Sequence, residues 1–323
     1  MSDGRGAVRA AVACSLGAAF LWALYYPLVI GARAGASPAA TIVYPFLFGG
    51  IAYLVHAGRL GTARRAFALG RHPQGWGRAG LLVGMQLSVL AGTYLLGPVD
   101  TSLLSLIGDV VATPLLVAAL WSSHRGRIGT APFTLGLLLS LAGGTLTIAG
   151  GQALGIVHGP GWAVLPAVPL FVAVYFLLSA QANEREPPTA VVAQSTGAAV
   201  LLSLAISPLL PGGLASLGSV SPAALLLLAA TGVTTFWLGP FLYFTAIERA
   251  GIAIPPMLMT GIPVFTLLLS ALLLGVGLPW VAVAGIPVAI GGALLTLRGE
   301  SGRRGAPTGS AGSSGGGGGP PPR

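Results

Sequence analysis

The amino-acid sequence predicts an all-α integral membrane protein of ten transmembrane helices, arranged as two inverted five-helix repeats with both termini in the cytoplasm. Three observations predict it. Of 323 residues, 54% are hydrophobic and 7% charged, and the mean hydropathy is +0.86, a composition far from that of a soluble domain. Apolar runs of about 20 residues, long enough to cross a bilayer, recur between short segments rich in turn-formers and arginine. The chain also aligns with itself, without gaps, at a shift of 149 residues.

The first run, 11–30, follows Arg5 and Arg9. It is too long for a signal-peptide core and lacks a small-residue cleavage site, so it reads as a retained span. Further spans are expected near 38–56, 79–97, 101–121, 132–150, 161–179, 190–210, 223–247, 252–274 and 280–297. The tightest connection lies around Pro98 and Asp100. Residues 1–10 are then a cytoplasmic N-terminus, 11–150 the first repeat, 151–299 the second, and 300–323 a Gly/Pro-rich cytoplasmic tail expected to be disordered.

Charge supports this count. All 16 basic residues are arginine, and with the N-terminus inside, every one except Arg33 falls on the cytoplasmic side. The net charge of +9 therefore reports orientation; no aromatic-interleaved basic patch points to nucleic acid. The single cysteine, Cys14, excludes an internal disulfide and a Cys-rich metal site. No metal or cofactor is expected.

At the shift of 149, Tyr26 meets Tyr175, Pro38 meets Pro187, Tyr94 meets Tyr243, Pro114 meets Pro263, Gly136 meets Gly285, and Gly143 meets Gly292. Each half has five spans. An odd number places the second half upside down relative to the first, an arrangement that binds solutes near the midplane between the halves.

Polar residues inside the spans mark candidate sites. On the fourth span Ser102, Ser105, Asp109 and Thr113 are spaced by three, four and four residues and share one helical face. Asp109 has no intramembrane cation to neutralise it, and a carboxylate at mid-membrane costs about 2.5–3.5 kcal/mol on insertion scales. Burial favours its neutral form and entering water its charged form, the behaviour that proton coupling needs. Trp22, Tyr25 and Tyr26 share a face of the first span, while Gln86, Tyr94, Thr231, Thr234, Thr235, Trp237 and Tyr243 supply further amphipathic groups on the third and eighth. The expected solute-binding set is Asp109, Trp22, Tyr26, Gln86, Tyr94, Ser105, Tyr175, Trp237 and Tyr243, with Pro27, Pro114 and Pro263 as kinks or hinges. The bland alternative is that the tyrosines and tryptophans pack or form interface belts, and that the hydroxyls bond back to their own helices. Asp100, Glu248 and His56 are read as groups at span ends, and Gln194 as a bridge between helices.

The opening GAAFLWALYYPLVI (17–30), the proline-bearing fourth and ninth spans, and the glycine-rich GLLLSLAGGTLTIAGG (136–151) and GIPVAIGGALLTLRG (285–299) resemble the EamA family of the drug/metabolite transporter superfamily. The Gly-Glu pair that often ends the family's fourth and ninth spans is absent here. The resemblance implies two five-helix halves around a central cavity, opened alternately to either side to move small molecules, most often outward. The expected function is thus secondary transport of a small organic metabolite or drug-like solute, an efflux step coupled to protons through Asp109. An exchanger or flippase of a phosphate-bearing or lipid-linked substrate is the alternative on the same fold. Lack of HExxH, of GxSxG within the expected spans, or of a second membrane carboxylate argues against an intramembrane enzyme. Expected partners are the small-molecule substrate and the lipid bilayer, with no nucleic acid. The expected state is a monomer or homodimer in the inner (plasma) membrane of a prokaryote.

Overall fold

A computed structural model describes residues 3–69, 71–112, 116, 131–151, 161–183, 185–250, 254–275, 277 and 280–301, and the regular structure among them is helical throughout. Up to residue 151 the α-helices are α1 (Asp3–Ala32), α2 (Pro38–Arg59), a short α3 (Ala63–Leu69), α4 (Pro73–Leu95), α5 (Pro98–Ile107) and α6 (Ala131–Gly151). From residue 161 they are α7 (Gly161–Asn183), α8 (Pro188–Ile206), α9 (Pro222–Thr231), α10 (Gly239–Ala250), a short α11 (Ile254–Met259), α12 (Ile262–Leu274) and α13 (Trp280–Ser301).

Proline opens helix after helix, at Pro38, Pro73, Pro98, Pro188 and Pro222, because its fixed φ suits the first turn and its missing N–H would be unpaired there anyway. Ser37 and Ser221 add side-chain caps, accepting from the backbone N–H of Ala40 and Ala224 at 3.1 and 3.2 Å. The tight connection between α4 and α5 is made by Gly97 at φ 101°, a conformation that favours glycine.

Five segments are long and apolar enough to cross a membrane: Arg9–Ala32, Pro38–Arg59, Pro166–Asn183, Pro188–Leu209 and Pro222–Arg249. Shorter apolar helices cover Pro98–Ile107, Ala131–Leu146, Ile262–Leu274 and Val283–Leu295. Polarity is distributed as a bilayer requires, with leucines turned outward and polar groups inward. Leu226 and Leu272 are 72% and 79% exposed, whereas Gln86, Thr101, Ser102 and Ser195 are at most 2% exposed.

The expected fourth, eighth and ninth spans are not single α-helices. α5 runs into a π-helical turn, Gly108–Ala112; α9 reaches α10 through a π-helical segment, Gly232–Leu238; and a turn at Thr260–Gly261 separates α11 from α12. Hydrophobic runs do not register such changes, since a π-turn shifts the hydrogen bonds without altering composition. Residues 108–112 map onto 257–261 at the shift of 149, a stretch that ends in the turn at Thr260–Gly261.

The broadest helix-to-helix contact joins α6 and α13 through glycine. A Cβ on Gly143 would collide with the backbone of Ala289 and Gly285, and one on Gly292 with the backbone of Ser140 and Gly136. These contacts are reciprocal at the shift of 149, and the Ser140 hydroxyl donates to the Ala289 carbonyl at 3.2 Å across the same seam. Small residues let the backbones meet where no hydrophobic drive separates helix from lipid.

Pro27 lies within α1, which continues through it, and Pro263 sits in the first turn of α12 just after the break at Gly261. Thr113, Pro114, His124 and the side chain of Asp109 lie outside the described residues.

Candidate functional site

A cavity with an empty volume of about 870 Å³, counting the space at its mouth, lies between the two halves. α1 contributes Trp22, Tyr25 and Tyr26; α4 contributes Leu82, Met85, Gln86 and Val89; α5 contributes Ser105 and Leu106. From the second half come Val172, Tyr175 and Phe176 on α7, Thr235 and Phe236 on the π-helical segment, Pro240 and Phe244 on α10, Met259 on α11 and Ile262 on α12.

Few polar groups face this space; hydrogen bonds fix Trp22, Tyr25, Tyr26, Gln86 and Ser105, while the Thr235 hydroxyl has no partner among the described residues. The Tyr26 hydroxyl donates to Ser105 Oγ at 3.2 Å, and Ser105 donates to the Thr101 carbonyl at 3.1 Å. Gln86 Nε2 donates to the Tyr25 hydroxyl at 2.7 Å, tying α4 to α1. Trp22 Nε1 donates to the Thr235 carbonyl at 3.1 Å, across the halves. Thr235 belongs to the π-helical segment, where departure from the i to i−4 pattern frees carbonyls for such contacts. Tyr25 and Tyr26 meet edge to face at 5.3 Å, and Trp22 meets Phe176 at 6.0 Å. A wall of aromatic faces, thioethers and a few oriented hydroxyls suits an organic solute with an apolar body.

Trp22, Tyr26, Gln86, Ser105 and Tyr175 from the expected set therefore converge on one cavity. Tyr26 and Tyr175, mates at the shift of 149, both line it. Three other residues of the set do not line it. Tyr94 lies under the Arg33 guanidinium, 4.8 Å from the ring centroid, a cation–π pair. Trp237 turns its indole to His56, donating to Nδ1 at 3.1 Å. Tyr243 sits one layer behind the wall, its ring against Trp22, Phe176 and Phe244 at 5.4, 6.0 and 5.5 Å. Amphipathic residue type marks all eight aromatic and polar candidates alike, and only helix rotation separates lining from backing. Thr231 and Thr234 bond back to Leu227 and Ala230 within their own helix. Asp100, read from the sequence as a group at a span end, is only 5% exposed in the first turn of α5.

Met85, Phe176, Phe244 and Met259 line the cavity without having been expected there. Nothing but helix register sets them apart from other apolar residues of their spans. The Gln86 bond yields a direct test. Gln86→Leu leaves the 3% exposed Tyr25 hydroxyl without its partner and is expected to destabilise the protein by about 1 kcal/mol. A lowered unfolding temperature of the purified variant checks this, and an unchanged one would show that the bond carries no net stability.

Residues 159–298 match the model of the EamA-like transporter family, which bears out the resemblance over the second half of the chain. A crystal structure of a protein superposes with a TM-score of 0.63 at 20% identity, covering 88% of this chain and 95% of that one, a likeness of fold alone. No curated protein matches the sequence.

Proposed function

We propose, with an EamA-like transporter domain over residues 159–298 as the premise, that this multi-pass membrane protein moves a small organic solute across the inner membrane by alternating access. On this reading residues 11–150 are the first EamA-like repeat and 151–299 the second, each with five spans in opposite orientation, and both termini are cytoplasmic. The cavity is the solute site, and Trp22, Tyr26, Gln86, Ser105 and Tyr175 hold the solute.

The observation that carries the reading is the pairing of irregular backbone with this cavity. The π-helical turn 108–112 and the turn at 260–261, which fall in the same stretch at the shift of 149, interrupt regular α-helix beside the lining residues Ser105, Leu106, Met259 and Ile262. Discontinuous helices around a central site are the means by which many secondary transporters bind and release their cargo. Asp109 lies in the first of these interruptions, and its repeat mate is the neutral Leu258. A single carboxyl there takes up and gives up a proton in each cycle, giving proton-coupled export. A phosphate-bearing or lipid-linked substrate would ask for cationic groups in the wall, and no arginine is among the lining residues.

Untargeted metabolite profiling of cells and medium, comparing a host that expresses the protein with an empty vector, tests the transport reading. A compound depleted inside and enriched outside on expression is the expected result. The reverse distribution would overturn export, and identical profiles in hosts with verified membrane expression would overturn transport of their common metabolites.

A further inference from the structure

The sequence places Arg78 in a loop at the arginine-rich end, but in the structure it lies inside α4 and is only 5% exposed. Arg78 Nη2 donates to Gln194 Oε1 at 3.3 Å, and Gln194 on α8 is also 5% exposed. Tyr175, the cavity residue, lies within electrostatic range of both Arg78 and Tyr53. Among the described residues no carboxylate pairs with Arg78. Arg78 Nε, Gln194 Nε2 and the hydroxyl of the fully buried Tyr53 have no hydrogen-bond partner.

These groups share one chemistry, since each is an N–H or O–H that seeks an acceptor. Burying a guanidinium without a counter-charge, beside the unpaired amide N–H of Gln194, is costly unless something with lone pairs and negative charge comes to it. A carboxylate supplies acceptor oxygens in the plane that an arginine fork recognises. One guanidinium balances one negative charge, which favours a monoanion over a phosphate dianion. The ring of Tyr175 belongs to the wall of the aromatic cavity, so a ligand whose anionic group reaches Arg78 can keep its apolar body in that cavity.

We propose that Arg78, Gln194 and Tyr53 form a carboxylate-binding station at the arginine-rich end of the solute cavity, taking an organic monocarboxylate whose apolar body rests against Tyr175. The proposal deepens the transport reading and rests on it for the route that the ligand takes. It narrows the solute class and gives Arg78 a role that neither its position in the sequence nor its helix would suggest.

The test uses the purified full chain in lipid nanodiscs, with unfolding temperature as the readout and sodium benzoate as the probe, at ionic strength held constant with sodium chloride. Benzoate is expected to raise the unfolding temperature saturably, because a ligand bound only by the folded state stabilises it. Benzamide, equal in shape but neutral, is expected to give little shift, and inorganic phosphate less than benzoate. The benzoate shift is expected to vanish in Arg78→Gln, to weaken in Gln194→Leu and to persist in part in Arg78→Lys. Should Arg78→Gln fail to fold, the lysine and Gln194 variants carry the comparison through their half-saturating benzoate concentrations. Equal shifts from benzoate and benzamide, an undiminished benzoate shift in the Arg78 and Gln194 variants, or no benzoate shift in the wild type would each overturn the proposal. The assay contains no transport step. A benzoate shift that depends on Arg78 in a protein that exports nothing would count against the transport reading alone.

Discussion

Gly292→Leu is expected to collapse the seam between α6 and α13 and to be the most destabilising single change of those argued here. The Cβ it adds would fall on the backbone of Ser140 and Gly136, and backbone has no alternative rotamer through which to give way. The two helices must separate instead, losing packing along their length and the Ser140 to Ala289 hydrogen bond. Overpacking of a tight interior costs about 1–3 kcal/mol and sometimes more, and the upper end applies where backbone is the obstacle. Gly143→Leu is expected to behave alike, because its Cβ would meet Ala289 and Gly285 in the mirrored contact. Gly291→Leu is the control. Its Cβ meets nothing within 4 Å, and leucine is a better helix former than glycine, so that variant should retain or gain stability. Unfolding temperature and the yield of monodisperse protein check all three. If Gly291→Leu proves as damaging as Gly292→Leu, helix propensity or insertion is at fault and the seam is not the cause.

The same seam illustrates which parts of this molecule are readable from sequence. The glycine pairs at a shift of 149 foretell a symmetric relation between the fifth and tenth apolar runs because close backbone contact leaves glycine as the one residue that fits. Residue type and geometry are then the same information. The cavity is readable only in part. Trp22 and Tyr26 lie four residues apart on one helix, and helical spacing brings them to one face. Trp237 and Tyr243 carry the same chemistry, but the π-helical segment Gly232–Leu238 changes the rotation of everything around it. No hydropathy pattern records that change. Arg78 and Asp100 fail for another reason. A charged residue beside a span is ordinarily solvated, and its burial depends on neighbours distant in sequence, as Gln194 on α8 is for Arg78.

Asp109→Asn is expected to abolish net, proton-driven movement of whichever solute the profiling identifies, with the protein inserted at wild-type abundance. Asparagine keeps the size and hydrogen-bonding capacity of a protonated carboxyl but can never release a proton. If Asp109 takes up and releases a proton during each cycle, the variant is held in the state that the protonated wild type passes through. Its stability should be unchanged or improved, since an ionisable side chain is a costly residue in a span. Asp109→Glu keeps the titratable group on a longer arm and is expected to retain pH-dependent transport at a reduced rate. The two substitutions separate chemistry from architecture: loss in both would mean that the site tolerates no change of shape, while loss in the amide alone assigns the defect to the proton. Equal transport by the wild type and Asp109→Asn at every external pH would remove proton coupling from this residue. In that case the polar face of Ser102, Ser105 and Asp109 is a helix-bridging seam, and the driving force must enter elsewhere.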